Sequence, residues 1–434
     1  MDAARTEHTP FRRGAGLARR VACAASLAAL LAGCAAEGEP IDCTVARVDE
    51  RLRECPVVRR ASEFPGCLRR GDVGRHACVV VDADLTFCDD EPPMPITAFF
   101  DSSHRTLDCA GGAIDHGWGR RGAPDGEPAT PGRANLPLVR FVEDRSLSDV
   151  TIRNCALRGT LQVGVQMTRF FGGQLGGDGV LSPGEPEPVG HRDVLLQDLR
   201  IEDVRIGVYL GNYSRDVTLE RVAIDGTERI AVYSEAGSRR VRILDSVIAN
   251  NRTREAVALD STSDSEIART LFANNREGAL NLYRNCGELL GSVCPVVRAT
   301  APNGNRIVDN AFVGNGLDAV RIASRQGRRH RRRWCADLDG RAGRFTDTAE
   351  DNLVAGNTFR CDEGTALVVM DGPNRVADNR IVATGRCTPY EVSTGGLGRR
   401  GRHLLDGLVL EGNRVESVRP PRLRDVGPGV RVLD

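Results

Sequence analysis

One spacing constrains this chain more than any other feature: an apolar residue, four mixed residues and a second apolar residue, then a turn and another short strand. It recurs as Ile152/Leu157, Leu196/Ile201, Leu219/Ile224, Ile243/Ile248 and Ile267/Phe272. It continues as Ile307/Phe312, Val354/Phe359, Val376/Ile381 and Leu410/Val415. From Leu196 to Ile267 successive first members lie 23, 24 and 24 residues apart. The following steps of 40 and 47 equal about one such period plus an insertion. A unit this short buries its apolar side only against a copy of itself, so the chain must stack. The expected fold class is all-β, a parallel β-helix solenoid in which each coil touches only its neighbours.

The turns agree with that expectation. Asn250 and Asn274 fall two places after Ile248 and Phe272, inside Asn-Asn pairs at 250–251 and 274–275. Asn tolerates left-handed backbone angles and stacks its amide from coil to coil. With this spacing and these turns, residues from roughly 100 to 430 resemble the right-handed parallel β-helix proteins of the pectate-lyase-like superfamily. The resemblance implies a right-handed solenoid and a place among proteins that include polysaccharide enzymes. It is a likeness of fold, with no family-specific catalytic motif.

The start of the chain has a different character. Arg12, Arg13, Arg19 and Arg20 precede an apolar run from Val21 to Leu31, too short for a permanent span, which meets Leu31-Ala32-Gly33-Cys34. This resembles a bacterial lipoprotein signal, which implies cleavage before Cys34, acylation of that cysteine and a membrane anchor in the cell envelope, periplasmic or surface-exposed. Beyond it remain twelve cysteines, with no CxxC pair, which in an exported chain read as disulfides. Their pairing stays open, although Cys286 with Cys294 would close a short loop. The expected organisation is a signal peptide over 1–33, a cysteine-rich cap and linker over 34–105, and the solenoid over 106–434. Val45, Val48 and Leu52 sit at helical spacing and suggest a short helix in the cap, covering the open end of the first coil. Insertions are expected near 117–135, 172–190, 286–300 and 325–347. The last of these holds the run Arg328–Arg333, suited to a polyanion or to plain solvation.

Every basic residue other than His is Arg, and no Lys occurs. Schiff-base, P-loop and lysine general-base chemistry are therefore excluded. Past residue 33 the chain carries 54 Arg against 57 acidic residues, and with the exported address this disfavours a nucleic-acid partner.

Alternation along the final strand of each coil yields candidate functional residues. Val208, Val232, Val257, Leu280 and Val320 should point inward, as should Leu210, Leu259, Leu282 and Ile322. Tyr209, Tyr233, Asn281 and Arg321 should face outward in one column, and Glu235, Asp260 and Tyr283 in the next, with Ala258 leaving a gap. Neighbouring coils are about 4.8 Å apart, so Glu235 and Asp260 would present two adjacent carboxylates. Such a pair suits a shared calcium ion, the acid and nucleophile of a retaining glycosidase, or a proton-transfer role. The tyrosines offer flat apolar faces with polar tips for sugars. Arg321 or Arg284 would pair with a uronate, and Tyr209 and Asn281 would add contacts. Tyr233 or Tyr283 would move the proton in β-elimination or C5 epimerisation, with Glu235 and Asp260 holding calcium or neutralising the substrate. The resulting expectation is an envelope protein whose groove binds an acidic polysaccharide, with lyase or C5-epimerase chemistry as the expected reaction if it is active. A non-catalytic binding or scaffold protein, a hydrolase using the carboxylate pair, and an ordinary solvated face remain alternatives. The sequence sets no oligomeric state.

Overall fold

The computed structural model describes residues 57–64, 66–73, 77–117, 136–168, 189–235, 237–284, 300–323, 349–394 and 398–433. Strands pair in parallel with the equivalent strands one coil away, forming the expected β-helix. A regular coil has three strands, for example Arg215–Glu220, Ala223–Asp225 and Ile230–Ser234. The first lies in a thirteen-stranded sheet, here the first face. The other two belong to the second and third faces. Those faces merge into one network because Ala156–Met167 and Arg200–Leu210 run across both.

The two apolar members of each repeat therefore sit on different strands, separated by a corner. The corner residue is left-handed: Arg221, Asp245, Arg269 and Asp309 have φ between 50° and 56°. In six coils left-handed residues recur at five-residue intervals, as in Asp216, Arg221 and Gly226 or Arg240, Asp245 and Asn250. Each marks a bend, so the apparent strand-turn-strand motif is a three-sided coil. Gly, Asn and Asp accept such angles readily, whereas Arg does so at a steric cost. Each left-handed Arg is braced by a fork onto an Asp one coil earlier. Arg221 reaches Asp198 at 2.7 and 2.9 Å, Arg240 reaches Asp216 at 2.6 and 2.7 Å, and Arg269 reaches Asp245 at 2.7 and 2.8 Å.

Inside, the repeat residues form one continuous core, buried throughout except for Val415 in the last pair, which is partly exposed. Phe272, Phe312 and Phe359 stack at 4.9 and 4.8 Å with nearly parallel rings. The residue after each left-handed corner turns inward and ties its coil to the next. Asn250 and Asn274 take the left-handed angle, while Asn251 and Asn275 do the stacking, with the Asn251 amide donating to Asn275 Oδ1 at 3.1 Å.

Three disulfides join Cys67 to Cys88, Cys109 to Cys155 and Cys361 to Cys387, and Cys78 is also disulfide-bonded. This chemistry points to an extracytoplasmic protein. Among the described residues parallel pairing is already present at Val57, with Val57 opposite Ala77 and Ala77 opposite Ile96. These first coils repeat after about 20 residues instead of 24, which hides them from the periodicity. The signal segment with Cys34, the expected helix near 43–55 and almost all of the four insertions lie outside the described residues.

Candidate functional site

The third face carries the expected outward column, and its register is continuous. Tyr209 lies opposite Tyr233, Tyr233 opposite Ala258, Ala258 opposite Asn281, and Asn281 opposite Arg321. The same column extends both ways beyond the sequence expectation. Gln166 and Arg140 precede Tyr209, and Val368, Glu391 and Arg422 follow Arg321. Inserts between these coils conceal the alignment in the sequence. The inward residues Val208, Val232, Val257, Leu280 and Val320 are buried, as alternation requires.

The centre of this face is a set of tyrosine–carboxylate pairs. Tyr209 Oη donates to Glu235 Oε2 at 2.6 Å, and Tyr233 Oη donates to Asp260 Oδ2 at 2.7 Å. Each hydroxyl thus reaches one coil forward to a carboxylate in the adjoining column. Tyr283 reaches backward, donating to Glu255 Oε1 at 2.8 Å. These are short, charge-assisted hydrogen bonds, stronger than neutral ones. The Tyr209 and Tyr233 rings lie 5.3 Å apart at 51°.

The second column differs from expectation. Asp260 does lie opposite Tyr283, but Asp260 is 0% and Tyr283 4% exposed, so neither meets open solvent. Arg284 is buried too. Tyr233 lies opposite Ala258 and reaches Asp260, and Ala258 is fully buried, so the expected gap is not open to solvent. Tyr209, Tyr233, Glu235, Asn281 and Arg321 remain partly exposed. Glu255, which enters from the preceding turn, joins the site as the acceptor for Tyr283.

Towards the later coils the stripe changes chemistry. Arg321 pairs with Asp318 at 2.7 Å and points a second nitrogen at Met370 Sδ, 3.6 Å away. Burial pushes the Asp318 carboxyl above its ordinary range; the Arg321 charge and hydrogen bond oppose this, while Glu391 adds to it. Ala323, Val368 and Met370 form a small apolar cluster apart from the core. Towards the earlier coils, Arg140 pairs with Glu143 at 2.9 Å, and Thr168 donates to the same carboxylate at 2.9 Å. Among the described residues no three His, Cys, Asp or Glu side chains converge to hold a metal ion. The carboxylates expected to share calcium, Glu235 and Asp260, each accept a tyrosine hydroxyl.

Residues 189–359 match the family model described as "Periplasmic copper-binding protein (NosD)", a stretch shorter than half of the chain. The described part of that stretch does not fit copper, which favours His, Cys and Met ligands. It contains no Met or Cys, and its one histidine, His191, is fully buried, with its ring nitrogens 3.1 Å from the Leu147 amide and 3.2 Å from the Thr168 carbonyl. No curated protein matches the chain. Among solved structures, an alginate lyase from Paenibacillus sp. is 13% identical, with a TM-score of 0.42 over 77% of this chain and 99% of that one. A mannuronan C-5 epimerase A-module from Azotobacter vinelandii is 12% identical, with a TM-score of 0.37 over 86% of this chain and 97% of that one. A surface protein and adhesin of Streptococcus pneumoniae is 12% identical, with a TM-score of 0.36 over 82% and 91% respectively. Likenesses with scores this low carry no argument about what this chain does.

Proposed function

We propose that this protein is an envelope-located β-helix that binds an acidic polysaccharide along the outer stripe of its third face. The observation that carries the reading is the Tyr209–Tyr233 pair, whose rings are spaced at 5.3 Å and whose hydroxyls are held by Glu235 and Asp260. Rings fixed in this way lose little freedom on binding and offer apolar faces to sugar C–H groups. Asn281 and Arg321 continue the column and supply an amide and a guanidinium for hydroxyl and carboxylate groups. Acylation of Cys34 would tether the solenoid to a membrane.

A second reading, β-elimination by the same stripe, is favoured by the tyrosine–carboxylate hydrogen bonds themselves. The C5 proton of a uronate passes to Tyr233 Oη as the tyrosine proton passes to Asp260. The C5 electron pair forms the C4–C5 double bond, the C4–O bond breaks, and the leaving oxygen takes a proton from solvent. Titration calorimetry with a panel of acidic polysaccharides tests binding, and ultraviolet absorbance of unsaturated uronate products tests turnover. Binding lost in Tyr209→Ala and Tyr233→Ala, without any absorbance change in the parent protein, identifies a binding protein. An absorbance rise abolished by Tyr233→Phe, with binding retained, identifies a lyase. No binding by any acidic polysaccharide would overturn both readings.

A further inference from the structure

The second face presents an apolar patch unconnected with the tyrosine stripe. Its strands Val247–Ala249, Leu271–Ala273 and Ala311–Val313 turn Val247, Leu271 and Val313 outward, with relative exposures of 41%, 36% and 37%. On three successive coils of one face these side chains make a small apolar patch. The patch is bounded by charge of opposite sign at its two ends. Along one outward column Asp225 is followed by Ala249, Ala273, Val313 and Arg360, each opposite the next. Asp225 and Arg360 are both exposed and both stand two coils from Ala273.

We propose that this face docks onto the same face of a second copy of the chain, with the two solenoids antiparallel and the two-fold axis lying along the Leu271–Ala273 strand. That operation reverses the order of the coils while keeping each column opposite itself. Asp225 of each copy then meets Arg360 of the other, Ala249 meets Val313, and Leu271 meets its own equivalent. The pattern is self-complementary, as an isologous interface requires. A parallel arrangement would instead set each coil against its own equivalent and leave Asp225 facing alanine. One coil beyond the Asp225–Arg360 contacts, Arg200 and Arg380 fall opposite each other. Each carries its own carboxylate, Glu202 at 2.9 Å and Glu416 at 3.0 Å, so their charges are balanced within each copy. Five coils of one short strand cover less than the roughly 800 Å² per partner of a standard stable interface, so association is weak and concentration-dependent. The inference does not depend on the polysaccharide reading.

Sedimentation velocity of the protein over about 1 to 200 µM is the test, since weak dimers dissociate within that range. A dimer is expected at the upper end. Asp225→Arg and Arg360→Glu, each alone, should weaken it at least tenfold, because like charges then meet twice across the two-fold. The swap Asp225→Arg with Arg360→Glu should restore association to within about threefold of the parent. Restoration also shows that both substitutions are tolerated by the fold. A monomer across the whole range, an association insensitive to the single reversals, or a swap that fails to restore it would overturn the proposal.

Discussion

The corner between the first and second faces is built in two ways along a single line of the solenoid. In the earlier coils the left-handed position alternates Asp198, Arg221, Asp245 and Arg269, and charged forks brace it from outside. The next residue inward is apolar at Leu199 and Val222 and a hydroxyl at Ser246 and Thr270: Ser246 Oγ accepts from the Val222 amide at 3.0 Å, and Thr270 Oγ1 accepts from the Ser246 amide at 3.4 Å. In the later coils the same position runs Asp309, Gly356, Asp378 and Gly412. A Cβ on Gly356 would come within 2.3 Å of Asp309 Oδ1, and one on Gly412 within 2.5 Å of Asp378 Oδ1. Here the inner residue is Asn throughout. Asn357 accepts from both the backbone and side-chain nitrogens of Asn310 at 2.9 and 3.0 Å and donates to Asn379 at 3.0 Å and to the Ile307 carbonyl at 2.8 Å. An amide satisfies several buried groups at once, so the late corners hold without an outer fork. A hydroxyl satisfies fewer and an apolar side chain none, and there the outer fork adds to the hold on the corner.

The difference predicts unequal sensitivity. The largest effect is expected for Asn357→Ala, which leaves several buried polar groups unsatisfied and should cost about 2–5 kcal/mol in chemical denaturation. A loss below about 1 kcal/mol would mean that the ladder is ornamental. Acid should act on the earlier coils instead. Hydrogen bonds from Arg221, Arg240 and Arg269 hold Asp198, Asp216 and Asp245 below the ordinary carboxylate range. Folded values below the unfolded ones mean that this stabilisation is present above about pH 4 and is lost as pH falls through the folded values. Hydrogen exchange at pH 5 and pH 3 should therefore show earlier loss of protection in residues 189–284 than in residues 349–394. Asp318 has the opposite sign: its raised value means that protonation on acidification favours the fold. Smaller still is Asp198→Asn, an exposed pair worth at most about 1 kcal/mol and weakened by salt. The finest test is the rank order at Arg221, where Gly should be tolerated better than Ala because only Gly accepts the left-handed angle freely. An equal fall in melting temperature for both would mean that the fork alone matters there.

Much of this was legible in the residues. The nine apolar pairs marked the coils, and alternation placed Tyr209, Tyr233, Asn281 and Arg321 in one column. Three things were hidden. The first coils have a shorter period, so their pairing from Val57 onward left no trace at the 24-residue spacing. The outward column also runs on to Glu391 and Arg422, beyond an insertion that breaks the alignment. The three-sided coil was concealed for another reason. Arg at a left-handed position is locally unfavourable, and nothing near Arg221 in the chain identifies Asp198, 23 residues earlier, as its partner.

The sequence by itself determined that the chain stacks, because a 24-residue unit with two inward apolar residues can bury them only against its own repeat. It also determined which strand residues face out, because side-chain alternation follows from backbone geometry alone. Only the tertiary structure decided that Asp260 and Tyr283 are enclosed while Tyr209 and Tyr233 remain partly open. Alternation fixes which way a side chain leaves its strand, whereas its exposure depends on what residues distant in the chain place around it once the turns stack.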